Sequence, residues 1–194
     1  MRVALGSRNP GKLRELRALF PSWEIEPADV SAIGEETGAS FRANARAKAM
    51  FARAAARPGD WALGEDSGLE VTVLGGRPGL YSARYAGPAA TDAQNLAKLL
   101  GELAGVRGDD RRARYVCELV LLSPSSEELV GRGTLNGAIA REARGTDGFG
   151  YDPVFVPAGE SATVAELGDA WKATRSHRAR AARALAAAVA RREA

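Results

Sequence analysis

The chain has 194 residues, 45% hydrophobic and 26% charged, with 27 basic against 24 acidic side chains and a net charge of +3. This composition excludes intrinsic disorder and describes one globular domain, 1–194, whose weak positive charge points to no nucleic-acid partner. A single cysteine excludes an internal disulfide, and no apolar run reaches the ~18 residues a membrane span needs, so no membrane partner is expected.

Val3–Gly6 reads as a strand. Its apolar part, Val3–Leu5, is too short for a signal-peptide core, and with the lone cysteine this makes the cytoplasm the expected location. Asn9 as N-cap and Pro10 at the first helical position open a helix bearing Leu13, Leu16, Leu19 and Phe20 at helical spacing. Trp23–Glu26 reads as a second strand ended by Pro27, and residues 28–39 as a loop. Ser40 caps a helix from Phe41 to about Ala56, stopped by Pro58-Gly59. Trp61–Gly64 and Leu69–Leu74 read as two strands, separated by the turn-like string Glu65-Asp66-Ser67-Gly68. Gly75–Gly79 is a further loop. Thr91 and Gln94 form a capping box ahead of Leu96, Leu99, Leu100 and Leu103. Arg114–Leu122 and Leu129–Ala140 read as neighbouring strands, residues 145–153 as a glycine-rich loop, and Ser176–Ala194 as an Ala/Arg-rich helix. Interleaved helices and strands, followed by two consecutive strands, predict a three-layer α/β fold with a mixed sheet.

Four segments carry candidate chemistry. In Gly6-Ser7-Arg8-Asn9-Pro10-Gly11-Lys12-Leu13 a strand meets a helix N-terminus, where unpaired amides and a partial positive charge attract anions. Ser7 and Asn9 add donors and Lys12 a full charge, so the segment reads as a polyphosphate cradle or as an ordinary β–α turn with a capping asparagine. It also matches the phosphate-loop string G-x-x-x-x-G-K. However, Leu13 stands where that loop has its magnesium-binding hydroxyl, and Pro10 lacks an amide. Next, two acidic clusters fall in predicted loops, Glu35-Glu36-Thr37-Gly38 and Glu65-Asp66-Ser67-Gly68. Magnesium takes one or two carboxylates together with phosphate oxygens and water, so a pair such as Glu36 and Asp66 suits metal-assisted phosphoryl chemistry. Solvated loop acid is the other reading.

The third segment is Asp147-Gly148-Phe149-Gly150-Tyr151-Asp152-Pro153. Its glycines let backbone approach a flat ligand on which Phe149 or Tyr151 stacks while Asp152 fixes a polar edge; a packed turn reads equally well. The fourth is Lys172 through Arg178, which contains the only histidine, with Ser176 as N-cap and His177 and Arg178 in the first turn of the last helix. Cys117 reads as a small buried hydrophobe. Only four of the 27 basic residues are lysines: Lys12, Lys48, Lys98 and Lys172. An ammonium and a guanidinium are not equivalent at a tight anion site, so each lysine is worth locating.

Taken in order, these segments resemble the inosine/xanthosine triphosphate pyrophosphatases. The likeness rests on Ser7–Lys12, on Glu35–Gly38 with Phe41, Asn44, Ala45, Lys48 and Ala49, on Glu65–Leu69, Leu74–Gly79 and Tyr81–Gly87, and on Gly148–Pro153 and Ser176-His177-Arg178. The resemblance implies a homodimer with an elongated mixed sheet flanked by helices and two lobes around a central cleft. It also implies hydrolysis of non-standard purine nucleoside triphosphates (ITP, dITP, XTP) to monophosphate and pyrophosphate, with Mg2+ as cofactor.

On the family pattern Asp66 is the proton acceptor and a metal ligand, and Glu36, with Glu35 as fallback, is the second metal ligand. Ser7, Arg8, Asn9, Pro10, Gly11, Lys12 and Ser67 hold the triphosphate. Phe149, Gly150, Tyr151, Asp152, Lys172, His177 and Arg178 enclose the nucleotide, mostly at the base. The chain departs from the family at Arg8, where a glycine is common, and at Glu65, where bacterial members usually carry aspartate. The alternatives are a P-loop-like NTPase that releases orthophosphate and a non-catalytic nucleotide-binding module.

Overall fold

The opening strand–turn–helix forms as its capping residues predict. β1 (Arg2–Gly6) leads into α1 (Pro10–Leu19), with the Asn9 side chain accepting the Lys12 amide at 3.1 Å. The computed structural model describes residues 1–29 and 37–193. Among these, the other strands and α-helices are β2 (Glu24–Pro27), α2 (Phe41–Ala55), β3 (Trp61–Val71), α3 (Asp92–Glu102), β4 (Arg112–Leu122), β5 (Glu128–Ile139), β6 (Phe155–Pro157), α4 (Val164–Arg175) and α5 (His177–Glu193). The strands form one mixed sheet in the order β2-β1-β3-β4-β5-β6. β1 runs parallel to both β2 and β3, whereas β5 and β6 are antiparallel. The fold is therefore α/β with an open mixed sheet, as the sequence pattern predicts.

The chain divides into two compact units. The first contains Met1–Asp66, Cys117–Gly133 and His177–Ala194. Its strands bury both faces. Val3, Leu5, Leu63, Leu119 and Leu121 pack with Leu16 of α1, Phe20 at its C-cap, and Ala182 and Leu185 of α5. On the alternate positions, Ala62, Val120 and Leu122 pack with Ala45, Ala49 and Ala52 of α2. This is the period-2 alternation of a strand covered on both sides.

The alanine face lets α2 come close, and two glycines bring it closer still. A Cβ on Gly6 would lie 2.2 Å from the Lys48 carbonyl oxygen, and one on Gly64 would lie 1.9 Å from that of Ala45. Gly133 does the same for α5, since a Cβ there would lie 2.0 Å from the His177 carbonyl oxygen.

The second unit contains Ser67–Val116 and Thr134–Ser176. Leu69, Val71, Tyr115, Leu135, Ile139 and Phe155 pack with Leu99 of α3, Leu103 at its C-cap, and Val164 of α4. Buried Arg111 ties this unit's backbone together, donating to the carbonyls of Ile139 (2.8 Å), Leu103 (2.6 Å) and Ala140 (2.7 Å).

Three local expectations change. Glu65-Asp66-Ser67-Gly68 does not break the chain into two strands: β3 runs unbroken from Trp61 to Val71. The acidic pair tolerates a central strand because both carboxylates are buried against cations, as described below. Helix α4 and strand β6 were not anticipated by the sequence pattern. Yet α4 opens with a full capping box, Thr163 to Glu166, the same device that marks α3 with Thr91 and Gln94.

Candidate active site

In the first unit, β3 presents Glu65 and Asp66 on opposite faces, so each meets a different helix. Glu65 is fully buried on the α1 and α5 face. Lys12 Nζ lies 2.6 Å from its Oε2, and Arg178 Nη2 donates to its Oε1 at 3.0 Å. The Cys117 thiol donates to the same Oε1 at 3.5 Å. Arg178 also pairs through Nη1 with Glu15 of α1.

Burial pushes the Glu65 carboxyl pKa up, but the positive charges of Lys12, Arg178 and Lys48 outweigh it and hold it well below the usual range. Burial lowers the Arg178 pKa in the same way, and the Glu65 and Glu15 carboxylates more than reverse that. Burial and the Glu65 charge drive the Cys117 thiol well above its usual value, so it stays protonated.

Asp66 is buried on the α2 face. Lys48 Nζ lies 2.8 Å from Oδ1 and Asn44 Nδ2 donates to Oδ2 at 3.1 Å. Lys48 Nζ also donates to the Glu65 carbonyl at 3.2 Å. Asn44 and Lys48 are one turn apart on α2, hence on one face, and that face is seated over Gly6 and Gly64. The glycines therefore bring the amide and the ammonium within bonding distance of Asp66. Asn44 Oδ1 in turn accepts the Gly38 amide at 2.8 Å.

The N-terminal turn has Gly11 buried, Ser7, Asn9 and Lys12 partly buried, and Arg8 and Pro10 exposed. Ser7 Oγ accepts the Asn9 amide at 3.2 Å. The Lys12 amide is already used by the Asn9 cap, and Leu13 follows it. A P-loop needs such amides for phosphate and a hydroxyl at that position for metal, so this turn offers a cation and a helix terminus rather than a P-loop. His177, the first residue of α5, is buried beside Arg178. Glu35 and Glu36 lie outside the described residues.

The second unit holds a separate cluster around Asp152, which is buried. Lys172 Nζ lies 2.7 Å from Oδ2, the Phe149 amide donates to Oδ2 at 3.1 Å, and the Tyr115 hydroxyl donates to Oδ1 at 3.3 Å. Only glycine suits position 148. Its φ is +84°, and a Cβ would lie 2.2 Å from Asp152 Oδ2. The Lys172 ammonium also sits 4.8 Å from the centre of the Phe149 ring. Tyr151 is buried, with its hydroxyl on the Ser82 carbonyl at 2.8 Å, which leaves half-buried Phe149 as the more accessible ring. The Gly150 amide is capped by Asp92 at 2.7 Å, and Ser67 is half-buried.

The sequence reading did not assign Glu15, Cys117 or Tyr115 to these clusters. Glu15 carried a weak signal, being three residues beyond Lys12 on the same helix face. Cys117 and Tyr115 lie in an apolar strand and carried none.

The model of the Ham1 family matches residues 3–188. The chain belongs to the Ham1 family. Among similar proteins, the dITP/XTP pyrophosphatase of Exiguobacterium sibiricum is 44% identical, with 97% of each chain covered. That of Bdellovibrio bacteriovorus is 42% identical, over 95% of this chain and 96% of the relative. The solved structure of the Staphylococcus aureus Ham1 protein superposes with a TM-score of 0.84 at 37% identity, covering 99% of this chain and 100% of the other. A nucleoside-triphosphatase/dITP/XTP pyrophosphatase from Mycobacterium abscessus gives a TM-score of 0.74 at 40% identity, covering 96% and 97%.

Proposed function

We propose that this Ham1 protein is a hydrolase, over residues 1–194 as one catalytic domain, that cleaves ITP, dITP and XTP to the nucleoside monophosphate and pyrophosphate and so clears them from the nucleotide pool. The observation that carries this reading is Asp66, a buried carboxylate gripped by Lys48 and Asn44 and adjoining the Lys12–Glu65 pair. That is a base next to a cation at a helix N-terminus, as phosphoanhydride hydrolysis requires. The names of relatives more than 40% identical over nearly the whole chain support the same reading.

Magnesium fits the donor set. Among the described residues no group of three or more His, Cys, Asp or Glu side chains could hold a metal. An ion held by one or two carboxylates together with phosphate oxygens and water has the coordination magnesium prefers. Asp66 would be one ligand and Glu36 the second, whereas Glu65 does not fit, since Lys12 and Arg178 take its two oxygens. Bound there, the ion supplies charge neutralisation and Lewis-acid polarisation at the phosphates.

The protein's own residues perform the rest. Ser7–Lys12 and Ser67 receive the triphosphate, with the Lys12 ammonium offsetting charge on the departing pyrophosphate. Asp66 accepts the proton of a water that attacks the α-phosphorus in line, and Lys48 and Asn44 fix the direction in which it does so. Phe149, Gly150, Tyr151, Asp152, Lys172, His177 and Arg178 recognise the nucleoside. Buried donors set against a 6-oxo purine would face donor to donor with a 6-amino ring, which disfavours ATP. We further assign the protein to the cytoplasm as a homodimer. Among the described residues no helix is long and apolar enough to cross a membrane.

The test is turnover of ITP, XTP, ATP and GTP with magnesium, with identification of the released phosphate. Pyrophosphate from ITP and XTP, with ATP spared, is the expected result. Orthophosphate, or equal turnover of ATP and ITP, would overturn the reading. Asp66→Asn should abolish turnover while nucleotide binding persists.

A further inference from the structure

We propose that Glu65 is a positioning residue: one buried carboxylate that fixes the Lys12 ammonium for the pyrophosphate part of the substrate while holding Arg178 with its other oxygen. This rests on the reading of Ser7–Lys12 as the phosphate-binding turn. Glu65 lies in mid-strand and is fully buried, so its carboxylate is fixed by the sheet. Lys12 is the opposite case, a charge at the end of a flexible four-carbon stem. At 2.6 Å from Oε2, that charge is held in one place before any ligand arrives. Pre-ordering a flexible group removes part of the entropic cost of binding.

The geometry demands a carboxylate. Each oxygen faces a cation: Oε2 lies against the Lys12 ammonium, and Oε1 accepts from Arg178 and the Cys117 thiol. A glutamine has one acceptor and one donor, so either orientation of its amide turns an N–H group toward a cation. An aspartate keeps the charge but is one methylene shorter, which draws its oxygens away from Lys12 and Arg178. Arg178 is held a second time by Glu15, whereas among the described residues the one ion pair of Lys12 is with Glu65. Loss of Glu65 therefore falls mainly on Lys12.

The test is a double-mutant cycle read by calorimetric titration of inorganic pyrophosphate at one fixed magnesium concentration, with the thermal midpoint recorded for each variant. Glu65→Gln should weaken pyrophosphate binding by about tenfold or more, because the Lys12 ammonium loses the charge that pins it and must be ordered by the ligand. In a Lys12→Met background the same substitution should change it by less than about twofold, because coupled residues are not additive. An equal loss in both backgrounds, or no loss with Lys12 present, overturns the proposal. If Glu65→Gln does not fold, Glu65→Asp serves in the same cycle, with a smaller loss expected and again only when Lys12 is present. The binding readout is independent of ITP turnover. Failure of the wild-type protein to release pyrophosphate would sink the functional reading while leaving the Glu65–Lys12 coupling to be judged separately.

Discussion

Asn44 joins Asp66 to the segment that precedes α2: its amide nitrogen donates to Asp66 Oδ2 at 3.1 Å while its amide oxygen accepts the Gly38 N–H at 2.8 Å. The side chain is buried, so neither bond is exchanged readily with water. Replacing it by leucine, of similar volume, removes both. Asn44→Leu should lower stability by about 1–3 kcal/mol, the cost of taking partners from buried polar groups. It should also reduce kcat for ITP by about tenfold with KM little changed, since Asp66 loses its alignment rather than its charge. Chemical denaturation together with steady-state kinetics checks both, and an unchanged kcat would show that Asn44 does not orient Asp66.

Gly64 sets the distance between β3 and α2. A Cβ there would meet the Ala45 carbonyl oxygen at 1.9 Å and the Ala49 nitrogen at 2.4 Å, both backbone atoms that cannot swing aside. Gly64→Ala must therefore displace α2 and with it Asn44 and Lys48. We expect a loss of about 1–3 kcal/mol or more from overpacking and a fall in kcat of at least about tenfold. Gly101→Ala in α3 is the control. A Cβ there meets nothing within 4 Å, so the substitution should be neutral or stabilising by about 0.5–1 kcal/mol. If Gly64→Ala behaved like Gly101→Ala, the close approach would not matter.

Tyr85 carries a pH dependence of stability. Its pKa is raised from 10.0 to about 12 by burial first and then by the Glu102 carboxylate, to which its hydroxyl donates at 2.6 Å, against a smaller lowering by Arg77. The native state thus keeps this proton longer than the unfolded chain does. The contribution is fully present below pH 10 and is lost as pH rises from 10 through about 12. Between those limits wild-type stability should fall more steeply than that of Tyr85→Phe, measured by denaturant unfolding at several pH values. Parallel curves would contradict the assignment.

In the second unit, Lys172 and Asp152 form an ion pair whose side chains are only 4% and 6% exposed. Removing one partner of such a pair typically costs about 3–5 kcal/mol, because the other charge stays buried. Lys172→Met should therefore destabilise the protein by that order and narrow the ratio of kcat/KM for ITP over ATP, because the Phe149–Asp152 turn loses the cation that organises it. Full stability and an unchanged ratio would exclude Lys172 from both roles.

The sequence made the helix starts legible wherever a side chain caps its own backbone. Asn9, Ser40 and Thr91 all cap as expected, because capping is a local interaction among residues close in the chain. Thr163 with Glu166 was equally local, and α4 was legible in principle. β3 was not. Glu65-Asp66-Ser67-Gly68 has turn composition, and what keeps it in a strand is cations from residues 12, 48 and 178, remote in sequence and brought in by packing. The same reasoning separates the site residues. The motifs of Ser7–Lys12 and Gly148–Asp152 could be read from their strings, whereas the Cys117–Glu65 and Tyr115–Asp152 bonds exist only once β4 lies where it does.

The central claim is that water attacks the α-phosphorus of a non-standard purine triphosphate and pyrophosphate leaves intact. It is tested most directly by hydrolysing ITP in water enriched in oxygen-18 and weighing both products by mass spectrometry. The account predicts the heavy oxygen in the inosine monophosphate and none in the pyrophosphate. Label in the pyrophosphate, or in released orthophosphate, would contradict it.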